Sequence, residues 1–125
     1  MISNEAEFSR QVVSFWRKQN YFVQRVETGS VNRGVPDIYV ETKTAHHWVE
    51  LKKVHTHVYD GMIIPWRPGQ QGWMIEYYKM TGNICITLVH CLDYILIIPM
   101  TKIFKGNKID LCSIKTVSRV SELLI

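Results

Sequence analysis

The stretch VPDIYVETKTAHHWVELKK, residues 35–53, holds the pattern that decides the fold. Two runs rich in β-branched and aromatic residues flank the polar turn TKTA, which predicts a β-hairpin. Asp37 opens its first strand. Glu50 and Lys52 are two residues apart on the second strand, so their side chains point to the same face, because side chains alternate along a strand. Two carboxylates and an ammonium are therefore expected to converge at one edge of the hairpin.

Helices are predicted on both sides of this hairpin. Residues 4–19 are amphipathic, because four large apolar side chains share one helix face while the opposite face is polar. The four are Phe8, Val12, Phe15 and Trp16. Residues 68–81 also have helical spacing, and Gly82 follows them as a C-terminal stop. The predicted strands are residues 21–27, 37–41, 47–53, 84–90 and 94–98.

The order α-β-β-β-α-β-β predicts an α/β domain in which helices pack on a central mixed sheet. The chain has 125 residues, of which 46% are hydrophobic, enough to bury one core without metal or disulfide staples. It contains no repeat, low-complexity tract or linker. Residues 1–125 are therefore expected to form a single domain.

Composition and charge restrict the class of protein. The net charge of +4 and the pI near 9.0 favour acidic partners such as phosphate backbones. The sequence has neither a membrane-spanning apolar run nor the features of a signal peptide at its start, so we expect a soluble, intracellular and cytoplasmic protein. Cys85, Cys91 and Cys112 lack CxxC spacing, and we predict buried, reduced thiols.

The converging triplet suits phosphodiester hydrolysis. That reaction uses a divalent cation, and Mg²⁺ prefers oxygen ligands such as the carboxylates of Asp37 and Glu50. Lys52 is placed to orient an attacking water or to stabilise charge that develops on phosphorus. The alternative is a solvated charged strand, because such a triplet is common by chance. Pro36 before the aspartate, the apolar strand around the glutamate and the preceding Gly-rich loop favour the catalytic interpretation.

These motifs resemble those of the virus-type replication-repair nucleases (VRR-NUC). This family is a branch of the PD-(D/E)xK superfamily, which also includes archaeal Holliday-junction resolvases. The resemblance runs from about residue 5 to residue 82. It consists of an acidic residue in the first helix, a Gly-rich loop leading into GVPD at residues 34–37, the strand WVELK at residues 48–52, and a helix carrying Gln70 three residues before Trp73.

The resemblance implies a restriction-endonuclease-like core of order α-β-β-β-α-β. It also implies a metal-dependent endonuclease of viral or repair DNA metabolism, with Holliday junctions or other branched DNA as substrate. Asp37 and Glu50 would then bind Mg²⁺ or Mn²⁺, Lys52 would attend the attacking water, and Gln70 would lie beside the site. We expect the backbone carbonyl of Leu51 and the carboxylate of Glu5 to complete the metal site.

Helical geometry separates Glu5 from Glu7 as the acidic residue of the first helix. Glu5 lies in the middle of the apolar face, where a carboxylate is costly unless it is paired or metal-bound. Glu7 lies on the polar face three residues after Asn4, the spacing of a capping box in which its side chain reaches back to the Asn4 N–H. We therefore predict that Glu5 reaches the metal site. The alternative for Glu5 is a carboxylate that merely favours the helix dipole.

Gln70 projects from the apolar side of the second helix, where a polar amide needs a partner. Its partner is either backbone at the helix start or a catalytic group. In the Gly-rich loop, Ser30 and Arg33 are candidates for contacts with the DNA backbone, as is Lys53, although simple solvation explains the loop residues equally well.

Two competing interpretations remain open from the sequence. One is a non-catalytic DNA-binding or assembly protein on a nuclease fold. The other is a transition-metal site built from the histidines, since His-x-His on a strand places both rings on one face. The histidines concerned are His46, His47, His55 and His57.

Residues 54–67 are longer and more apolar than the short basic link typical of the family. Together with the terminal Leu123, Leu124 and Ile125, the apolar run 62–66 predicts a homodimer, because a small monomer struggles to bury such segments. The alternative is that both segments complete the core.

Overall fold

The computed structural model describes residues 2–26, 34–102 and 108–125. Within them lie two α-helices and six strands, whose types and order match the sequence prediction up to residue 99. The helices are α1 (Glu5–Lys18) and α2 (Gln70–Thr81). The strands are β1 (Phe22–Arg25), β2 (Ile38–Glu41), β3 (His46–Lys53), β4 (Ile86–His90), β5 (Ile95–Pro99) and β6 (Lys115–Val117). Three short 3₁₀ segments follow β5, at Met100–Lys102, Leu111–Ser113 and Val120–Glu122.

The strands form one mixed sheet in the spatial order β1-β2-β3-β4-β5-β6. β2 and β3 pair antiparallel across the TKTA turn, which confirms the predicted hairpin. β3 and β4 pair in parallel, and their connection carries α2 across one face of the sheet. All other neighbouring strands are antiparallel. The predicted α/β fold with a central mixed sheet is therefore confirmed.

Each face of the sheet has its own hydrophobic core. On one face α1 buries Phe8, Val12 and Trp16, which belong to the same cluster as Leu51 of β3. Val13 is also buried, whereas Phe15 is only partly buried. On the other face α2 buries Met74 within a cluster that includes the inner residues of β4 and β5. Because both faces of the sheet are covered, β5 is apolar on both sides, whereas β3 carries the charged Glu50 and Lys52 on one of them.

The core takes up part of the two apolar segments that suggested a dimer, while Ile63, Leu124 and Ile125 remain exposed. Met62 and Ile64 are 2% and 1% exposed, and the intervening Ile63 points outward and pairs with Lys108. Leu123 is also buried, where its carbonyl accepts a 2.6 Å hydrogen bond from the Trp16 indole. The homodimer stays a prediction from sequence, and these contacts remove part of its basis.

The cysteines differ from the prediction at one position. Cys85 and Cys91 are free and fully buried, as expected, whereas Cys112 is free but exposed. The prediction was wrong for Cys112 because it lies in a short surface 3₁₀ segment between β5 and β6. In the part of the chain described, no helix is long and apolar enough to cross a membrane.

Candidate active site

The β2–β3 hairpin places Asp37 next to the middle of β3. The paired register of the two strands ends at Ile38 opposite Val49, so Asp37 and Glu50 are the next residues on each strand. The Asp37 carboxylate accepts a 2.9 Å hydrogen bond through Oδ2 from the Leu51 N–H. The carbonyl of Leu51 points to the same strand edge as its N–H, which directs another oxygen toward Asp37.

Glu50 and Lys52 are buried, so the interpretation of β3 as a solvated charged strand is wrong. Glu50 is 2% and Lys52 4% exposed. Both lie on the face of β3 opposite Leu51, which is packed in the α1 core. The Lys52 ammonium lies 3.9 Å from Oε1 of Glu50. Charged groups are rarely buried without a partner, so this pair needs an explanation beyond packing.

Gln70 contacts the catalytic candidates and also the helix start, so both alternatives for its partner hold at once. Its Nε2 donates a 3.0 Å hydrogen bond to Glu50 Oε1, and its Oε1 accepts a 2.7 Å bond from the Arg67 N–H. The N-cap residue of α2 is Gly69, which has no side chain that could cap the helix. The Gln70 amide therefore both closes the turn before α2 and fixes the orientation of the Glu50 carboxylate.

A close approach of two glycines holds α2 beside Asp37. Gly34 has a φ of +91°, and a Cβ added there would lie 2.3 Å from the Gly69 carbonyl oxygen. Only glycine fits such an approach without strain. The contact fixes the start of α2, which begins at Gln70, two residues later than the predicted helix. One turn further, the Trp73 and Trp48 rings pack edge-on, 5.5 Å apart.

Glu5, and not Glu7, faces the candidate site. Glu5 lines a pocket of about 250 Å³ together with Asp37 and Leu51. Its carboxylate lies 3.6 Å from the Arg67 guanidinium, a partner that no sequence pattern indicated. Asn4 caps α1 as predicted, accepting a 2.8 Å bond from the Glu7 N–H.

The side chain of Glu7 corrects the predicted capping box. Its carboxylate accepts hydrogen bonds from Arg10 and Gln11, three and four residues further along the outer face of α1. Those partners are flexible and charged or polar, and they compete with the Asn4 N–H for the carboxylate. Glu7 thus has a local structural role away from the pocket.

The pKa values of two carboxyl groups at the site, Glu50 and Glu5, are raised. Burial, followed by the negative charge of Asp37, raises the pKa of the Glu50 carboxyl to about 9, although Lys52 acts in the opposite direction. Burial also raises the pKa of Glu5, with a smaller contribution from Asp37, while Lys52 and Arg67 lower it. Because Asp37 and Glu5 both act to raise the pKa of Glu50, a bound cation would favour the ionised form of this carboxyl.

The donor set fits a divalent cation of the Mg²⁺ type. Glu50 Oε2 is buried and has no hydrogen-bond partner among the described residues, whereas its Oε1 is engaged by Gln70. Carboxylates and a backbone carbonyl are the hard oxygen ligands that Mg²⁺ takes, usually one or two carboxylates with waters. Within the described ranges no three His, Cys, Asp or Glu side chains form a group ready to hold a metal ion.

Replacing Glu50 by Gln should stabilise the metal-free protein. The pKa of Glu50 is higher in the folded protein than its ordinary value of 4.5, so the folded state keeps a proton that the unfolded chain releases. Stability of the wild-type protein therefore falls as the pH rises from about 4.5 to about 9. Gln does not titrate and still accepts from Gln70, so the variant should gain up to about 3 kcal/mol at pH 7.

Urea unfolding in EDTA across this pH range measures the difference. Glu76→Gln is the matched control, because Glu76 lies exposed on α2, and it should follow the wild-type pH dependence. Parallel stability curves for wild type and Glu50→Gln would contradict a buried, proton-holding Glu50.

The remaining predicted contact residues are Ser30, Arg33 and Lys53. Ser30 and Arg33 lie outside the described residues. Lys53 donates to the Val54 carbonyl at the end of β3. The histidines form no metal group in the described chain, and His57 lies 3.4 Å from an Asp93 carboxylate oxygen at the surface.

The structure adds residues that the sequence did not indicate. One is Arg67, through its contact with Glu5. Two others line the pocket that contains Glu5: Ser9 of α1 and Arg25 at the end of β1. Ser9 lies one helical turn after Glu5, which helical spacing alone predicts. Nothing in the sequence places Arg25 beside Asp37, because that proximity depends on how β1 pairs with β2.

Comparison with solved structures finds this fold in another protein. The structure of Archaeoglobus fulgidus Hjc, a Holliday junction resolvase from an archaeal hyperthermophile, matches 94% of this chain and 92% of that chain with a TM-score of 0.64. The two sequences are 13% identical, so the likeness establishes the restriction-endonuclease-like fold alone. No protein-family model matches the chain, and no curated protein matches its sequence. The narrower resemblance to VRR-NUC proteins stays a prediction.

Proposed function

We propose that this chain is a metal-dependent DNA endonuclease that hydrolyses phosphodiester bonds in branched DNA. The observation that carries the proposal is the buried Glu50 carboxylate, which has one oxygen held by Gln70 and the other unpartnered beside Asp37 and Lys52. Two carboxyl groups beside one ammonium exceed what a simple ion pair needs, and they supply the hard oxygen donors that Mg²⁺ takes. The fold shared with a Holliday junction resolvase supports branched DNA as the substrate class.

The residues divide the chemistry among them. Asp37, Glu50 Oε2 and the Leu51 carbonyl would hold Mg²⁺, or Mn²⁺ in its place. The cation supplies positive charge at the phosphate and lowers the pKa of a bound water. Lys52 places an ammonium next to the carboxylates, where it orients the attacking water and stabilises charge on phosphorus. Glu5 lines the pocket from α1 and is proposed to contact a water of the cation.

The second candidate is a DNA-binding or assembly protein that keeps this fold without catalysis. Its sequence would be free to lose any member of the Asp37, Glu50 and Lys52 set, and all three are present. A binding protein also gains nothing from burying Glu50 at a cost in stability. We therefore favour the nuclease, and cleavage activity separates the two.

Cleavage assays on a panel of labelled DNAs test the proposal directly. Four-way junction, flap, duplex and single-stranded DNA are each incubated with Mg²⁺, Mn²⁺ or EDTA. We expect cleavage of the branched substrates with either metal and none in EDTA. Undiminished cleavage in EDTA would overturn the metal site, and binding without cleavage under every condition would favour the second candidate.

A further inference from the structure

A groove lined by basic side chains runs between the outer side of α1 and the edge strand β1. It encloses about 530 Å³. Of the six described residues that line it, four are cationic and none is acidic. The six are Arg10, Val13, Ser14, Arg17, Lys18 and Arg25. The groove is therefore a concave surface of one sign of charge, which attracts polyanions.

The groove adjoins the candidate active site. Arg25 lines both the groove and the pocket that contains Glu5 and Asp37. The pocket and the groove also follow one another along α1. Glu5 and Ser9 line the pocket, and residues of the next two turns line the groove. At 1.5 Å per residue, the α1 wall beyond the pocket spans roughly 13 Å, the length of several phosphates of one strand at about 3.4 Å each.

The charges in the groove are available to a ligand. Among the described residues, Arg17, Lys18 and Arg25 form no ion pair, and all three are exposed. Arg17 donates a 3.3 Å hydrogen bond to the Val23 carbonyl, which directs its guanidinium toward β1. Arg10 is paired with Glu7 at the outer rim. Arg25 thus lies at the boundary between two surfaces of opposite charge. The pocket on one side carries carboxylates that suit a cation, and the groove on the other side carries cations that suit phosphates.

We propose that this groove binds the sugar–phosphate backbone of the DNA strand next to the scissile phosphate. The proposal rests on the nuclease function above and assigns the strand a path from the pocket, past Arg25 and along α1. No aromatic side chain is among the described residues that line the groove, so it offers no platform on which bases could stack. Most contacts of Arg and Lys on such a surface are with phosphates, which position the strand without reading its sequence. Catalysis gains because a strand held in register presents its phosphate to Asp37, Glu50 and Lys52.

The double variant Lys18→Gln/Arg25→Gln tests the groove. Its matched control is Lys79→Gln/Lys115→Gln, which removes the same charge from exposed positions on α2 and β6. Affinity for an uncut four-way junction is measured in EDTA over a range of salt concentrations. We expect the groove variant to bind roughly tenfold more weakly at low salt, with a slope of log K against log salt smaller by about 2.

The outcomes separate this inference from the proposed function. The proposed role of the groove would be overturned if both variants lost equal affinity and equal slope of log K against log salt, or if neither lost any. Melting temperatures near that of wild type establish that the exposed substitutions leave the fold intact. A wild-type protein that binds through the groove and never cuts DNA would overturn the nuclease and keep the groove.

Discussion

Replacing Asp37 by Asn should reduce the cleavage of branched DNA by about 10³-fold or more while the fold is kept. Asp37 is a proposed ligand, and the substitution removes its negative charge from the cation. The Asn side-chain oxygen still accepts the hydrogen bond from Leu51 N–H that joins the two strands. Asn has nearly the same volume as Asp, so the substitution creates no cavity at this partly buried position. Single-turnover cleavage rates with saturating Mg²⁺ measure the loss, and circular dichroism measures the fold.

Asp93→Asn is the control for this experiment. Asp93 is exposed between β4 and β5, and its carboxylate lies near His57, far along the chain from the hairpin. It should cut at the wild-type rate. An Asp37→Asn protein that also cuts at that rate, with Mg²⁺ as the cofactor, would show that the site assignment is wrong.

Asp37 is a cleaner target than its two partners. Glu50 and Lys52 are almost completely buried, so truncating either to Ala would leave a cavity and an unpaired charge. A loss of activity in those variants would mix catalysis with unfolding. Substitutions that conserve side-chain volume avoid the cavity, so they separate a loss of catalysis from a loss of the fold.

Glu5→Gln should lower the cleavage rate by about 100-fold with little loss of stability, whereas Glu7→Gln should cut at nearly the wild-type rate. Glu5 faces the pocket beside Asp37, and its raised pKa shows that its negative charge is held there at a cost. Glu7 bonds Arg10 and Gln11 on the outer face of α1. Removing its charge should cost at most about 1 kcal/mol of helix stability.

The two glutamates form a matched pair, because the same substitution is made two residues apart on one helix. Cleavage is compared at saturating DNA, and free energies of unfolding are compared by urea denaturation. If Glu7→Gln were the slower enzyme, α1 would have to present its other face to the site. If neither variant were slowed, the two carboxylates on the β2–β3 hairpin would suffice for the cation.

The sequence alone determined the element order and the position of the hairpin. These features follow from local patterns: a 3.6-residue apolar period in α1, β-branched runs around TKTA, and the left-handed Gly82 that ends α2. Alternation along β3 also placed Glu50 and Lys52 on one face, where the structure has them. Such properties depend on neighbours within a few residues, which the sequence contains.

Only the tertiary structure decided how buried and how surrounded these residues are. α2, whose start is fixed by the Gly34–Gly69 contact, bonds Glu50 through Gln70, and Met62 and Ile64 of the segment 54–67 enter the core on the α2 face. Pairing of β1 with β2 brings Arg25 to the carboxylates, and the turn before α2 brings Arg67 to Glu5. Each of these contacts joins residues far apart in the chain, and none has a local period. Burial, charge pairing and the raised pKa of Glu50 therefore follow from packing between elements, which no single segment of the sequence encodes.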